Sequence, residues 1–433
     1  GGANIESEDA SQIVSVAGAV GVGGNLIGLG ATVSVNLLDA ETIAAIEDSD
    51  LQTEDTLFML ADSNPNITAV AAAGAVGKEG MAAAVAVTIN KINADTHAYL
   101  QDEKQHGVSP TKGATIRATS DPDMTSTAGG IAFDLNGVGV GLSVAHAEVE
   151  SSTKAYIDGT PFDASNGSLK VKAVETSTIS AIAGGGAAGN QAGVAGSAAV
   201  VDTDTEVKAD IVGAADVSAH GSVSVVAVDD VNGTSIAGNI SIGGKGAIAA
   251  SSATLLTNNE VFAYLGANVQ VDSGGHGNSI NVPSGNKDED GERESMTARG
   301  VSIVAVSFED FETAAAGGAG AGNVGVAGSI AVTKLKETTK AYVGNGSDLN
   351  QDVDSSHNGQ SVLVFASDDT DLLTLGGAVG GGKDAGIGAG ADGAEIDKRT
   401  HAYIGTGAIV DAVSNVQVDS LSSERILSIA ASI

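Results

Sequence analysis

Acidic, oxygen-rich runs are the residues of this chain whose types and spacing could do chemistry, and that chemistry is calcium binding. Two runs supply the candidate ligands Asp202, Asp204, Asp368, Asp369 and Asp371. Calcium takes about six to eight oxygen ligands from carboxylates and carbonyls. The chain lacks an Asp-x-Asp-x-Asp-Gly loop with a distal Glu, so solvated acidic loops are the simpler interpretation. No cofactor other than Ca²⁺ is expected.

Catalysis has weaker support in the sequence. The chain has no Cys and no Gly-x-Ser-x-Gly motif, and His97 and His401 occupy a repeat position that Lys154, Lys208 and Lys340 take elsewhere. We therefore interpret the two histidines as surface residues, and we expect no enzyme. A carbohydrate-active β-helix enzyme is kept as an alternative, and it would require a groove in which three or more carboxylates converge within one repeat.

Composition limits the partners and the core. The formal net charge is −34 over 433 residues, and this excludes nucleic acid because counterion release requires Lys and Arg. No uninterrupted apolar stretch is long enough for a membrane span. Aromatic residues make up only 3% of the chain, whereas Gly occurs 60 times. A core built from Ala, Val and Ile must be thin, with closely spaced backbones.

A recurring Ala-Tyr-aliphatic motif organises the chain. All five tyrosines lie in it: Tyr99, Tyr156, Tyr264, Tyr342 and Tyr403. With two degenerate copies included, the aligned alanines are Ala45, Ala98, Ala155, Ala209, Ala263, Ala341 and Ala402. Their spacing predicts one continuous array of about seven repeats of ~54–61 residues over residues 1–433, with a loop insertion near 273–296. We interpret the tyrosines as an interlocking core or rim element, with a sugar-binding stripe as the alternative.

A Gly-Asn, Gly-Lys or Asn-Gly turn precedes each motif, as at Asn25, Asn190 and Asn323. Such a turn suits positive φ, which is cheap for Gly and tolerable for Asn. Glycines at alternate strand positions indicate that a neighbouring backbone approaches closely.

Period-2 alternation of β-branched residues, as in Val301–Val306, predicts strands. The fold class is therefore all-β, a repetitive β-solenoid. We predict a parallel β-helix with about three coils of about 18 residues in each repeat, hence about 20 coils stacked over roughly 100 Å. The alternative is a solenoid of stacked antiparallel hairpins, each closed by a Gly-Asn turn.

The insertion and the chain ends carry two further expectations. The insertion includes 287–294, a run of charged residues that we interpret as an exposed loop. Residues 423–432 resemble residues 7–19 in phase, so the array could continue from one end to the other. We infer either one stretch of a longer array or head-to-tail stacking of chains into a filament.

The strings Gly325–Val332 and Thr338–Gly344 resemble repeats of very large Gram-negative filamentous adhesins, of the leukotoxin-like and filamentous-haemagglutinin-like kinds. The resemblance covers nearly the whole chain. It implies a β-helical stalk, a location outside the cell or on its surface, and a role in attachment, matrix or filament building. It supplies no catalytic residues.

We therefore expect a structural or adhesive repeat segment of an extracellular fibre, with the chain itself as its principal partner. A calcium-dependent module that binds a surface glycan or a protein of a host or neighbouring cell is the alternative, and the β-helix enzyme is the second alternative.

Overall fold

The computed structural model describes residues 1–104, 106–288, 291–351 and 355–433. Its body consists of three long sheets whose neighbouring strands all pair in parallel and in register. The predicted parallel β-helix is therefore confirmed, and stacked antiparallel hairpins do not form the body.

Sheet 1 contains the strands that open each coil. In the first four coils they come in pairs, and from β17 onward one long strand replaces each pair. Its strands are β1 (Ala3–Asp9), β2 (Gln12–Gly23), β5 (Leu57–Ser63), β6 (Asn66–Gly77), β9 (Gly113–Ser120), β10 (Asp123–Asp134), β13 (Ser168–Glu175), β14 (Ser177–Gly189), β17 (Val223–Gly243), β22 (Gly300–Ala321), β25 (Ser361–Gly382) and β28 (Val416–Ser432).

Sheet 2 faces sheet 1, and the short strands of sheet 3 close each coil. The strands of sheet 2 are β3 (Ile27–Glu47), β7 (Met81–Gln101), β11 (Val138–Asp158), β15 (Ala192–Val212), β18 (Gly246–Leu265), β23 (Val324–Val343) and β26 (Ala385–Ile404). The strands of sheet 3 are β4 (Leu51–Thr53), β8 (Val108–Pro110), β12 (Phe162–Ala164), β16 (Asp216–Ala219), β19 (Gln270–Ser273), β24 (Asp348–Leu349) and β27 (Ile409–Val410).

Each repeat forms one coil, which corrects the prediction of three. The register pairs Ala192 with Gly246, so stacked residues lie one full repeat apart in sequence. The physical reason is that alternation runs unbroken through sheet 2, whose strands are 20 or 21 residues long. At about 4.8 Å between coils, the described stack is roughly 35 Å deep, while each sheet-2 strand spans roughly 70 Å.

The register also corrects the first aligned alanine. Ala98 pairs with Ala44, and Tyr99 pairs with Ala45. Ala44 is the buried member of the two. The other six alanines stack on one another as aligned.

The cross-section of each coil has a wide half and a narrow half. In the wide half, sheets 1, 2 and 3 surround large apolar side chains, among them Leu57, Met59, Leu100 and Phe162. In the narrow half, which we call the blade, the sheet-1 segments equivalent to residues 12–23 lie against the first half of each sheet-2 strand. The core of the blade is largely alanine with a few larger residues such as Ile67.

Inward-facing glycines let the two sheets of the blade approach to backbone contact. A Cβ on Gly130 would lie 2.3 Å from the Leu142 carbonyl oxygen, and one on Gly185 would lie 2.8 Å from that of Gly196. These distances are shorter than real Cβ contacts, so the opposing backbones leave no room for a side chain. At Gly130 and Gly185 the structure confirms the close backbone approach that the alternating glycines predict.

The tip of the blade differs from the predicted turn. Asn25, Asn190 and Asn323 are exposed there, but none of them has positive φ. Their flanking strands lie in opposite sheets and do not pair with each other. Glycine at the tip provides clearance between stacked coils instead, since a Cβ on Gly244 would lie 1.9 Å from the Asn190 carbonyl oxygen.

The insertion is a β-hairpin and not an irregular loop, although its charged residues Asp288 and Glu292–Glu294 are exposed as predicted. Strands β20 (Ile280–Lys287) and β21 (Arg293–Ala298) pair in antiparallel fashion. Ile280 and Val282 cover an apolar patch on the outer face of sheet 1. Lys287 Nζ lies 2.9 Å from Asp230 Oδ1 and fixes the charged end. Residues 289–290 of the predicted acidic run lie outside the described residues.

Two adjacent glycines provide a matched test of the blade. Gly130→Ala should lower the free energy of unfolding by about 1–3 kcal/mol, because the added methyl overpacks the inter-sheet contact. Gly129→Ala faces outward, where a Cβ meets no atom within 4 Å, and should be neutral or stabilising by up to about 1 kcal/mol. Urea unfolding at low protein concentration measures both. Equal destabilisation by the two substitutions would contradict the packing described here.

Candidate functional site

The five predicted tyrosines come together in one column on the outer face of sheet 2. The ring centroids of Tyr99 and Tyr156 are 4.7 Å apart, with planes 3° from parallel. Tyr342 stacks on Tyr264 at 4.8 Å and on Tyr403 at 5.0 Å. Four of the rings are half-buried and Tyr403 is exposed, so the column belongs to the surface and not to the core.

Stacking decides what this column can do. Each stacked ring covers one face of its neighbour, and Tyr342, which stacks on both Tyr264 and Tyr403, offers solvent only its edge and its hydroxyl group. A sugar ring binds an aromatic side chain through its face, and the stacked pairs cover at least one face of every tyrosine in the column. Burial raises the pKa of Tyr156 and Tyr342 to about 12, so the hydroxyls stay neutral. The column is built to hold successive coils in register.

Asp210 interrupts the column between Tyr156 and Tyr264. Only 7% of its surface is exposed, and burial raises its pKa to about 7, although a hydrogen bond with the Tyr264 hydroxyl opposes the shift. Near neutral pH this position is therefore divided between a buried charge and a neutral acid.

A column of basic residues runs beside the tyrosines. The register stacks His97, Lys154 and Lys208 in successive coils, followed later by Lys340 and His401. The repeat equivalence predicted for these residues is confirmed. Lys208 and Lys340 each lie over the Phe262 ring, at 5.4 Å and 5.3 Å from its centroid. This arrangement again ties one coil to the next.

The calcium candidates lie in three separate places. Asp202 and Asp204 face outward on β15 in sheet 2, and Asp369 and Asp371 face outward on β25 in sheet 1. Asp368 points into the core, where it pairs with Lys398. Among the described residues, no three His, Cys, Asp or Glu side chains form a group that could hold a metal ion.

Sequence reasoning missed a set of acids inside the core, where the blade joins the wide half. We call it the buried carboxyl file. At most 2% of the surface of any member is exposed. Its members are Glu175, Asp229, Glu309, Glu337 and Asp368. Their inward strand phase was the available signal, since Glu175 follows Val171 and Ala173 at alternate positions.

Serine and threonine hydroxyl groups donate hydrogen bonds to most of the carboxyl groups in the file. Thr153 donates a 3.0 Å hydrogen bond to Glu175, and Thr370 donates one of 2.5 Å to Glu309. Asp229 and Glu337 each keep one oxygen without a hydrogen-bond partner. Lys398 is the cation that reaches the file.

Burial therefore favours the protonated acids. It raises the pKa of Glu175 to about 7 and that of Glu309 to about 8. It also raises the pKa values of Asp229, Glu337 and Asp368. Since carboxylates buried without cations are costly, much of the file holds protons at neutral pH.

A polar groove beside sheet 3 is a candidate small-molecule site. It encloses about 380 Å³ and is lined by Asp163, Asp272, His220 and His276 among other residues. The two imidazole rings stack at 4.3 Å. Asp163 and Asp272 lie on different coils, whereas the enzyme alternative calls for three convergent carboxylates in one repeat.

No protein-family model matches the chain, and no curated protein shows significant sequence similarity to it. The described residues also include no helix with the length and hydropathy needed to cross a membrane.

Completing the tyrosine column should stabilise the fold. Asp210→Tyr adds two stacked pairs, each worth about 0.5–1.5 kcal/mol, and removes a buried acid. Thermal unfolding at pH 8 should show a higher midpoint than the wild type. Asp210→Asn is the control that removes only the charge. If the tyrosine variant is no more stable than the asparagine variant, the stacking account is wrong.

The buried carboxyl file should make stability fall as pH rises. Glu175 and Glu309 have folded-state pKa values of about 7 and 8, above the unfolded value of about 4.3. Their contribution is complete below that unfolded value and is lost progressively up to about pH 8. Glu175→Gln should flatten a urea-unfolding profile between pH 5 and 8 by at least about 1.4 kcal/mol, the value of one pKa unit. Glu79→Gln, at the exposed tip, should leave the slope unchanged.

Proposed function

We propose that this chain is a structural repeat segment of an extracellular or surface-attached fibre, with roles in attachment or matrix building. The observation that carries the proposal is that the last strand, β28, is in phase with the first coil when the pairing is followed from coil to coil. Through the ladders of sheet 1, Ser432 is equivalent to Ala378, Gly317, Asn239, Gly185, Gly130, Ala73 and Ala19. The repeat at 432 is thus in phase with the repeat at 19.

The hydrogen-bonding edges of the described stack are compatible with the same proposal. Strands β1 to β4 have a hydrogen-bonded neighbour on one side only, as do β26, β27 and β28 at the other end of the described stack. Unpaired parallel edges are templates for a further strand. Further coils, from the same chain or from a second copy, can pair there without any change of register.

The surface features favour a structural role over a catalytic one. The tyrosine column and the column of basic residues beside it both join consecutive coils, and the calcium candidates are scattered. A cooperative stack of this kind resists fraying because each coil is stabilised by its neighbours. Attachment would then depend on what the fibre displays on its broad faces.

A register-matched fusion tests the proposal. Joining Ile433 directly to Gly21 of a second copy keeps every side chain on its proper face and places Ile27 over Ala385. Small-angle scattering should show a stack about twice as deep, by roughly 35 Å, with an unchanged cross-section. Thermal unfolding should remain one transition at a higher midpoint, because two open edges have been paired.

A one-residue offset is the matched control. Joining Ile433 to Val22 reverses the inward and outward faces of the junction, so this fusion should behave as two independent units. If both fusions scatter as two flexibly linked bodies, the solenoid does not continue and the proposal fails. Repeating the scattering with a calcium chelator tests the alternative, since a calcium-dependent module would collapse.

A further inference from the structure

The part of the blade's outer face on sheet 1 that lies toward the tip carries no charged side chain among the described residues, although the chain has a net charge of −34. We call it the groove face. It is built from four outward columns, equivalent to positions 16, 18, 20 and 22 of the first coil. Across seven coils, Thr127 is its one polar side chain. The acids lie elsewhere, so this face can be buried without desolvating an ion.

A shallow groove runs through the face along the stacking axis. Its floor is one column of small residues, Gly18, Ala72, Gly129, Gly184, Gly238, Ala316 and Gly377. A Cβ on Gly129, Gly184 or Gly238 would meet no atom within 4 Å. The inward glycines are required by the opposite sheet, but these three are not required by any contact within the chain.

A ridge borders the groove on the side toward the tip. Large residues alternate with glycine in successive coils: Val20, Gly74, Ile131, Gly186, Ile240, Gly318 and Val379. Half or more of the surface of Ile131, Ile240 and Val379 is exposed. A second ridge on the other side includes Val16 and Ile182. The face thus presents both the knobs and the recess of a packing surface.

The area of the face is that of a stable interface. Four columns about 7 Å apart and seven coils about 4.8 Å apart cover roughly 900 Å². A standard specific interface buries about 800 Å² on each partner, and a monomer rarely exposes an apolar patch above about 600 Å². Pairing this face would remove that apolar surface from water.

We infer that the groove face packs against the groove face of a second copy around a two-fold axis. With the axis between the columns of Gly184 and Gly186, the ridge of each copy lies in the groove of the other, as an isologous interface requires. The same rotation places the two acidic wide halves at opposite ends, beyond the tips of the blades, where their repulsion is least. The pairing is lateral and does not depend on continuation at the ends.

A lipid surface fits these observations less well than a second copy. To enter a bilayer, the blade would lead with its tip, which carries Lys78, Glu79, Lys245, Lys383 and Asp384. Charged groups are costly at membrane depth. The strong net negative charge also opposes approach to an anionic membrane.

Site-specific cross-linking tests the pairing directly, because the chain has no native Cys. Gly184→Cys lies in the groove of a central coil, and Gly393→Cys lies on the opposite face at another glycine with open space around it. A flexible bismaleimide should convert most of the first variant to covalent dimer and little of the second. End-to-end association would keep both copies of residue 184 too far apart to react. Equal yields from the two variants, or no dimer from either, would overturn the inference.

Sedimentation supplies the second measurement. The wild type should sediment as a dimer, more completely at 0.5 M salt (about a 4–5 Å Debye length), which screens the acidic halves. Gly184→Glu should weaken the dimer at least about tenfold. At a protein concentration low enough to dissociate the wild type, the two proteins should unfold at the same midpoint. Gly393→Glu should still dimerise. A monomeric wild type at all salt concentrations contradicts the proposal. So does flotation of the wild type, but not of Gly184→Glu, with neutral phosphatidylcholine vesicles.

Discussion

Backbone-to-backbone contact between the two sheets of the blade is the constraint on which the rest of the structure depends. Gly130 and Gly185 can face the opposite sheet only because they have no Cβ. A core this thin buries little apolar surface in each coil, so the coil gains stability chiefly from the coils above and below it. That dependence explains why the ladders stay in register through every repeat, and why the columns on the outer surface also pair residues of successive coils.

The same constraint separates the chemistry of the two halves. The wide half has room for Leu57, Met59 and Phe162, and the outer surface there carries the charged columns. At the junction, sheets 1 and 2 diverge and leave interior space that is filled by hydroxyls and by the buried carboxyl file. Lys398 is the one cation among the described residues that pairs with the file, so protonation of the acids offsets most of the cost of burying them. The acidic residues therefore have two roles. Those on the outer surface carry the net negative charge, and those of the buried carboxyl file make the stability of the junction depend on pH.

The sequence predicted the all-β solenoid and the columns of tyrosines and basic residues, because both follow from period 2 and from the repeat. It could not predict one coil per repeat, since alternation by itself does not say where a strand bends into another sheet. The burial of Glu309 and Glu337 depends on strand phase near such a bend. The hairpin at Ile280–Ala298 was misjudged because its charged tip obscured the apolar side chains that cover sheet 1.

Stacked residues are always one coil apart in sequence, and this also shapes how the chain folds. Each ladder contact joins residues one coil apart, such as Ala192 with Gly246 or, across the hairpin, Gly246 with Val324. The chain between two stacked residues forms a loop, and lengthening this loop from 54 to 78 residues raises the free-energy cost of closing it by only about 0.3 kcal/mol. Every coil thus meets nearly the same kinetic barrier, and the preceding coil is its template. Such a chain can fold progressively from its N-terminal end as it emerges from a ribosome.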